Sequence, residues 1–462
     1  MNIRIFRQNI IFLGFTAIVL GAMLPVVSAN NYIFLMLIYA ALVFLSLFYI
    51  STAGILFFIL SARIILDSFP QVAYPKLLFG FSMLEYFTLG LMVFMVVYLL
   101  VNNGLELDAI SKSMCFVLAT MVITTFYHLN FSDFIAVGSL WIYFTISYIF
   151  FKFLLRDVRQ QNILYLIVIT SLCPLLNLFW AIAGGSGSMH SGFARYSASF
   201  LHVHHLSNYL FFAIPALLYL LLQESKSIIK YIYIILLILF HYGIFMAGYR
   251  TVWIATGFFW IFYILVISKK KLAGVLIACC IMLFFWKNRE ALLITRFMHL
   301  KLILEDPTQL LNLENYEYNG LLSGRIGFWK TAIENYLSSN ILSKFFGTGI
   351  HSTSKLNLTY MHNEYISALT ETGIAGLAAL LLWIISAIKT TLQRLTYSRE
   401  YGLIVLGTFL SLLVIAAGTM PFRDAIVMNY ISIYFAALYN YQNDTVESVR
   451  DKKTDSHTKL NI

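Results

Sequence analysis

Charge is what this sequence has least of. Asp, Glu, Lys and Arg make up 11% of its 462 residues, against about 25% in an average soluble domain. That scarcity excludes a water-soluble enzyme or a nucleic-acid-binding protein, although the net charge is +10. Cysteine is scarce too. The four present, Cys115, Cys173, Cys279 and Cys280, fall within or at the edge of apolar runs, and no pair has zinc-ligand spacing. A disulfide framework and a structural zinc site are therefore not expected. Nucleotide-binding motifs are missing: no Walker A or G-x-G-x-x-G stretch follows a strand pattern. Any energy for chemistry would have to arrive with the substrate. The short alternating segments of a membrane β-barrel are missing as well.

What fills the chain is apolar sequence. Hydrophobic residues make up 60%, in runs near the length that crosses the hydrocarbon core as a helix. The expected fold is all-α, a polytopic transmembrane bundle of about 12–14 spans. Candidate spans lie near 10–28, 32–50, 52–66, 77–101, 113–129, 133–154, 162–183, 204–222, 231–248, 250–267, 272–287, 374–390, 401–419 and 425–441. The basic N-terminal patch and first apolar run lack a small-residue cleavage site and read as a retained helix.

Basic clusters orient the spans. With Arg4 and Arg7 inside, the clusters Lys152–Arg159, Lys226–Lys230, Lys269–Lys271, Lys389–Arg399 and Arg450–Lys459 all fall on the same side, as the positive-inside bias requires. Both termini are then cytoplasmic, and residues 288–373 form a large loop on the outer face. Four parts follow: an N-terminal membrane bundle 1–287, the loop 288–373, C-terminal membrane helices 374–441, and a hydrophilic tail 442–462 expected to be disordered and cytoplasmic.

The loop is expected to fold as helices lying on the bundle. Ala291–Glu305 is apolar along one side and suits the membrane surface. Ser323 can cap a helix beginning near Arg325, whose apolar stripe is Ile326, Trp329, Ile333 and Leu337. Asn363 can cap a short helix through Glu371 that Gly373 breaks before the next span.

Candidate chemistry gathers on the outer face. His362 precedes a helix at the membrane boundary, beside Asn363 and Glu364, and an imidazole exchanges protons near neutral pH. Arg195, Arg250, Arg325 and Arg423 run against the orientation bias there, and a guanidinium grips phosphate oxygens in a two-pronged fork. His202, His204 and His205 could suggest a metal, but no carboxylate or cysteine stands near them in the sequence, so no metal is expected. His299 and His351 are assigned to the surface. Glu85 reads as an intramembrane carboxylate, either a proton-relay group of a transporter or a hydrogen-bonded structural group; a polysaccharide or lipid flippase is the different-class alternative, although no inverted repeat is visible.

Four blocks resemble, in order, the signature regions of the O-antigen ligase and O-antigen polymerase superfamily. They are RYSASFLHVHHLSNYL from Arg195, AGYRTVWIA from Ala247, SGRIGFWKTAIENYLSSN from Ser323 with FFGTGIH ending at His351, and HNEYISALTETGIAGL from His362. The resemblance spans roughly residues 180–390. It implies a bacterial inner-membrane glycosyltransferase, GT-C-like and metal-independent, with no cofactor. The donor would be a glycan on undecaprenyl pyrophosphate, transferred with inversion at the periplasmic face. The acceptor would be a hydroxyl of another lipid-linked glycan (polymerase) or of the lipid A-core (ligase). By matching position, His362 is the implied base and Arg250, Arg325 and Arg195 the implied pyrophosphate contacts, with Asn363, Glu364 and Trp329 supporting. Arg250 follows a tyrosine where members often have Ser or Thr. The Phe-, Ile- and Tyr-rich composition favours the polymerase. Membrane lipids and a chain-length regulator complete the expected partners.

Overall fold

The computed structural model describes residues 52–67, 82–184, 188–190, 193–197, 200, 203–267, 325–352 and 362–440. In chain order its helices are α1 Thr52–Asp67, α2 Met83–Val101, α3 Ala109–His128, α4 Phe131–Leu154, α5 Gln160–Ala183, α6 Val203–Gln223 and α7 Ser227–Ala247. They continue with α8 Arg250–Phe262, α9 Arg325–Ser338, α10 Ile341–Phe346, α11 Glu364–Arg394, α12 Arg399–Gly418 and α13 Ala425–Asn440. Eight are long and apolar enough to cross a membrane, with three shorter apolar ones, α1, α8 and α13. These eight and three coincide one for one with the spans expected between residues 52 and 441, the stretch near 272–287 excepted. That stretch, the first two spans, Ala291–Glu305, His299, Cys279, Cys280 and the tail lie outside the described residues. The chain is a polytopic helical membrane protein.

The exception to an all-α reading is small. Ser188–His190 pairs antiparallel with Phe193–Arg195, and the next residue, Tyr196, donates its N–H to Met246 O at 3.3 Å, at the end of α7.

The interior is built on α6 and α13. Both are buried along nearly their whole length, so their side chains face protein on every side. Phe212 and Tyr430 stack at 5.0 Å, and the Tyr434 hydroxyl donates to Phe212 O at 2.7 Å. Polar links of this kind hold helices together where lipid supplies no hydrophobic drive between them. Tyr143 donates to Asn429 at 2.9 Å, and Tyr209 donates to Asp67 at 3.0 Å. At the end holding residues 420–424 an aromatic box closes the core. Phe422 sits in it at 4.8 Å from the ring of Trp383, beside Trp141 and Phe144.

The bundle has two chemically distinct ends. At one, Lys152 is buried against Glu106 O and Asp108, and Arg394 donates to Tyr439 O. The other end collects the starts of α2, α4, α6, α8, α11 and α13 and the ends of α1, α3 and α12. It also carries α9 and α10.

A splint at that end fixes the start of α11. The helix is bent at Gly373, whose φ of 73° and ψ of −168° are outside helical space. The bend frees the carbonyls of Thr370 and Glu371, and the N–H groups of Thr348 (2.8 Å) and Gly349 (3.2 Å) take them up. Gly347, at φ 80°, passes directly over Glu371, and a Cβ there would collide with its carbonyl. His128 and Thr124 of α3 reach the carbonyls of Gly347 and Phe346 at 3.0 and 2.7 Å. Thus the FFGTG sequence is a backbone clamp, and glycine is required where the two segments touch.

Candidate functional site

A cavity of about 910 Å³ opens at the splinted end, between α1, α2, α4, α6, the start of α9 and the 419–425 corner. His362 and Arg325 both line it, together with Tyr249, Arg63, Glu85, His204, His205, Asn208, Arg423 and Asp424.

The position of His362 is set by its neighbour. Asn363 caps α11, its side-chain oxygen accepting from the N–H groups of Tyr365 and Ile366, both at 3.0 Å. Its Nδ2 donates to Ala417 O at 3.0 Å, and the Tyr365 hydroxyl donates to Leu413 O at 3.0 Å. These bonds lash the start of α11 to the last turn of α12, where helix carbonyls lack intrahelical partners. His362 itself has φ 49°, a left-handed conformation that a non-glycine residue holds only when its surroundings impose it. Burial and the positive charge of Arg325 depress its pKa to about 4. The imidazole is therefore neutral at pH 7, with a lone pair able to take a proton.

Arg325 starts α9. Its Nη1 donates to Gly418 O at 2.5 Å, a cation at the negative end of the α12 dipole. Among the described residues no carboxylate pairs with it, so its charge faces the cavity.

Arg423 is different. It donates to Glu371 and Ser367, both at 2.7 Å, and its Nε lies 3.7 Å from Glu364. Two buried carboxylates meet its charge, and it bolts the 420–424 corner to the first turns of α11. The four arginines expected to share one anionic role therefore divide. Arg250 is the half-buried first residue of α8, next to Tyr249, and does not line the cavity. Arg195 ends the short hairpin. Glu364, beneath Arg423, Asn363, in the cap, and half-buried Trp329, on α9, also lie outside the lining.

Several lining residues were not anticipated. Arg63, near the end of α1, pairs with Asp67 at 2.9 Å. Asp67 lies 4.0 Å from His205 Nδ1. Asn208 donates to Asp424 at 3.2 Å, and Asp424 caps α13 through the Ile426 N–H at 2.9 Å. The ground for setting metal aside, the lack of a nearby carboxylate, does not hold in space. Ligand atoms of His204, His205 and Asp424 lie within 4.8 Å of one another. Two imidazoles and a carboxylate are a donor set that could hold a metal ion.

Of the two readings of Glu85, the structure supports the structural one. It is an exposed residue in the first turn of α2, where its carboxylate accepts the Ser82 N–H at 2.6 Å and Ser82 caps in return. It is a helix-capping group, the hydrogen-bonded structural alternative of the two.

A polytopic helical membrane protein with an imidazole and a guanidinium in one polar cavity at a helix-bundle end is the class this geometry defines. Residues 232–381 match the family model described as O-antigen ligase. The match takes in Arg250, Arg325 and His362 and supports a place for the chain in the O-antigen ligase and polymerase superfamily. That family indicates a membrane glycosyltransferase of ligase or polymerase type acting on lipid-linked glycans. No curated protein matches the chain.

Proposed function

We propose that the cavity transfers a glycan from a polyprenyl pyrophosphate, undecaprenyl pyrophosphate in bacteria, to an acceptor hydroxyl at the periplasmic face of the inner membrane. The observation that carries this is that His362 and Arg325 line the same cavity. The acceptor oxygen attacks the anomeric carbon and gives its proton to His362. The bond from that carbon to the phosphate oxygen breaks, and the pyrophosphate leaves with the electron pair. One displacement inverts the anomeric centre. Arg325 meets the charge that grows on the leaving group, where a preorganised cation is most effective. Arg250, beside Tyr249, and Arg195 are assigned to the same anion as it enters.

The low basicity of His362 fits this order of events. With the cavity empty, Arg325 opposes protonation; a bound pyrophosphate would offset that charge and raise the basicity of the imidazole when the acceptor is in place. The walls around the reacting atoms keep water from competing with the acceptor.

Within this reading the acceptor is a second lipid-linked repeat unit, making the protein a polymerase. The matched model's description favours the ligase as second reading. Deleting the protein and separating surface polysaccharide on a gel decides between them. A ladder that collapses to one capped unit means polymerase; loss of all attached polysaccharide means ligase. An unchanged ladder removes both.

A further inference from the structure

His204 and His205 lie in the first turn of α6, and Asp424 stands just before α13; all three line the cavity. Adjacent helical residues point about 100° apart and do not ordinarily face each other. Here the two imidazole rings nevertheless stand 4.2 Å apart, edge to face. A ligand atom of each and one of Asp424 lie within 4.8 Å of one another, a spacing that one ion can gather by turning the rings. The Asp424 oxygens accept from Asn208 Nδ2 and from the Ile426 N–H. Among the described residues neither imidazole hydrogen-bonds to that carboxylate, and no Lys or Arg pairs with it. A carboxylate offers about four acceptor positions, so these two bonds leave it room for an ion.

A fourth group stands behind the cluster. A metal-bound imidazole commonly gives its other ring N–H to a carboxylate, which fixes the ring and strengthens it as a ligand. Buried Asp67 is placed for this, with Oδ1 4.0 Å from His205 Nδ1. Asp67 is held in turn by Arg63 and by the Tyr209 hydroxyl. With Nδ1 turned to Asp67, Nε2 is the nitrogen left for an ion. The donor types then choose the metal. Imidazole suits zinc and its transition-metal neighbours, whereas magnesium and calcium take oxygen ligands. Three protein ligands leave a four-coordinate ion one position for water, and the cavity has the space for it.

We propose that His204, His205 and Asp424 form a site for a divalent transition-metal ion, zinc foremost, with its remaining position open to the cavity. The ion joins the start of α6 to the start of α13, the two helices on which the interior is built. Occupancy therefore stabilises the fold. The site does not depend on the transferase reading, and no step of that reaction is routed through the ion.

The test uses the full-length, untagged protein in detergent, stripped with a chelator and then given Zn2+, Co2+ or Mg2+. Wild type should retain a single Zn2+ or Co2+ ion per chain after desalting, with visible ligand-field bands for Co2+. Its Tm should rise with Zn2+, as for any ligand that binds only the folded state. Mg2+ should do neither. Asp424→Asn and His204→Gln should each weaken Zn2+ binding by roughly tenfold or more, no less than losing the carboxylate behind a ligand costs. In Asp424→Asn the amide oxygen still accepts the Ile426 N–H, so the cap on α13 survives. His362→Ala, which the transferase reading expects to be inactive, should bind zinc as wild type does. No zinc retained by wild type, unchanged affinity in either ligand variant, or Mg2+ binding as tightly as Zn2+ overturns the proposal. Loss of binding in His362→Ala overturns it too, because the ion would then sit on other ligands. Transfer activity is read separately. Zinc uptake without transfer leaves the site standing and removes the transferase reading; transfer with no zinc uptake does the reverse.

Discussion

Arg325 and Asn363 hold neighbouring carbonyl oxygens at one helix end. Nη1 of Arg325 donates to Gly418 O at 2.5 Å, and Nδ2 of Asn363 donates to Ala417 O at 3.0 Å. The end of α12 thus sets the spacing between the cation and His362, which precedes Asn363. Two groups that meet a reacting molecule from one side must be held at fixed separation, and here a helix terminus holds both.

His362→Ala is expected to lower transfer by about a hundred- to ten-thousandfold, the usual worth of a general base, with the amount of protein in the membrane unchanged. Arg325→Ala should lose activity similarly, and Arg325→Lys should recover only part of it, since an ammonium lacks the fork. The measurement is transfer from a purified lipid-linked donor. Wild-type rates in both alanine variants would take the site away from this cavity.

Arg423 should behave as a structural residue. Its side chain is 11% exposed and that of Glu371 only 2%, so Arg423→Met would strand two buried carboxylates. Breaking such a pair from one side costs about 3–5 kcal/mol, and thermal unfolding in detergent should show a large drop in Tm. Adding Glu371→Gln and Glu364→Gln to Arg423→Met should restore much of it. A single variant as stable as wild type would show that the bolt is not needed.

The architecture was largely legible because a bilayer imposes one rule, that spans be long, apolar and helical. The Asn363 cap and the break at Gly373 could be read because each is decided within a few residues. What could not be read is convergence. Asp67, Asn208 and Asp424 come from three distant parts of the chain and meet only when α1, α6 and the 420–424 corner pack together. Arg423 looked like Arg325 in the sequence, because nothing local reveals that Glu364 and Glu371, seven residues apart on one helix face, will neutralise it. Glu85 carried two readings for a related reason: the expected span began before residue 82, which placed a capping carboxylate inside the membrane. The π-helical turn that Phe134–Gly138 makes within α4 has no signature in the apolar pattern.

Glu85→Gln separates the transferase from the transporter. The amide can still accept the Ser82 N–H, so the capping box is weakened by only about 1 kcal/mol or less. Polysaccharide on the gel should be unchanged. Its loss in this variant, with full activity in His362→Ala, would move the reading to proton-coupled transport.

Gly373→Ala and Gly347→Ala test the splint. Both glycines sit at positive φ with extended ψ, a region essentially closed to other residues. A Cβ on Gly373 would strike the Phe345 carbonyl, and one on Gly347 the Glu371 carbonyl. Steric and conformational costs add, so each variant should lose on the order of 3 kcal/mol or more. Protease resistance of the 325–372 region in membranes should fall before the transmembrane core is affected. Gly90→Ala on α2 is the control, since a Cβ there meets nothing within 4 Å. Equal resistance in all three variants would mean that the close crossing of these two segments is not a constraint.

The depressed pKa of His362 makes stability depend on pH in one direction. Unfolded, the imidazole takes a proton below about 6.5; folded, burial and Arg325 hold it neutral down to about 4. Between those values the unfolded chain binds the extra proton, so stability rises with pH across the window and falls as pH is lowered through it. Above about 6.5 both states are neutral and the contribution is flat. The side chain is only part-buried, so the effect is moderated by solvent. His362→Asn, a residue that also tolerates left-handed backbone, should flatten the Tm profile between pH 6.5 and 4 relative to wild type. Arg325→Gln should flatten it in part, by removing one of the two causes. Adding inorganic diphosphate to the wild type should also flatten it, because the bound anion favours the imidazolium and brings the folded pKa back toward the unfolded one. Profiles identical in wild type and His362→Asn would mean that His362 stands in water, away from Arg325.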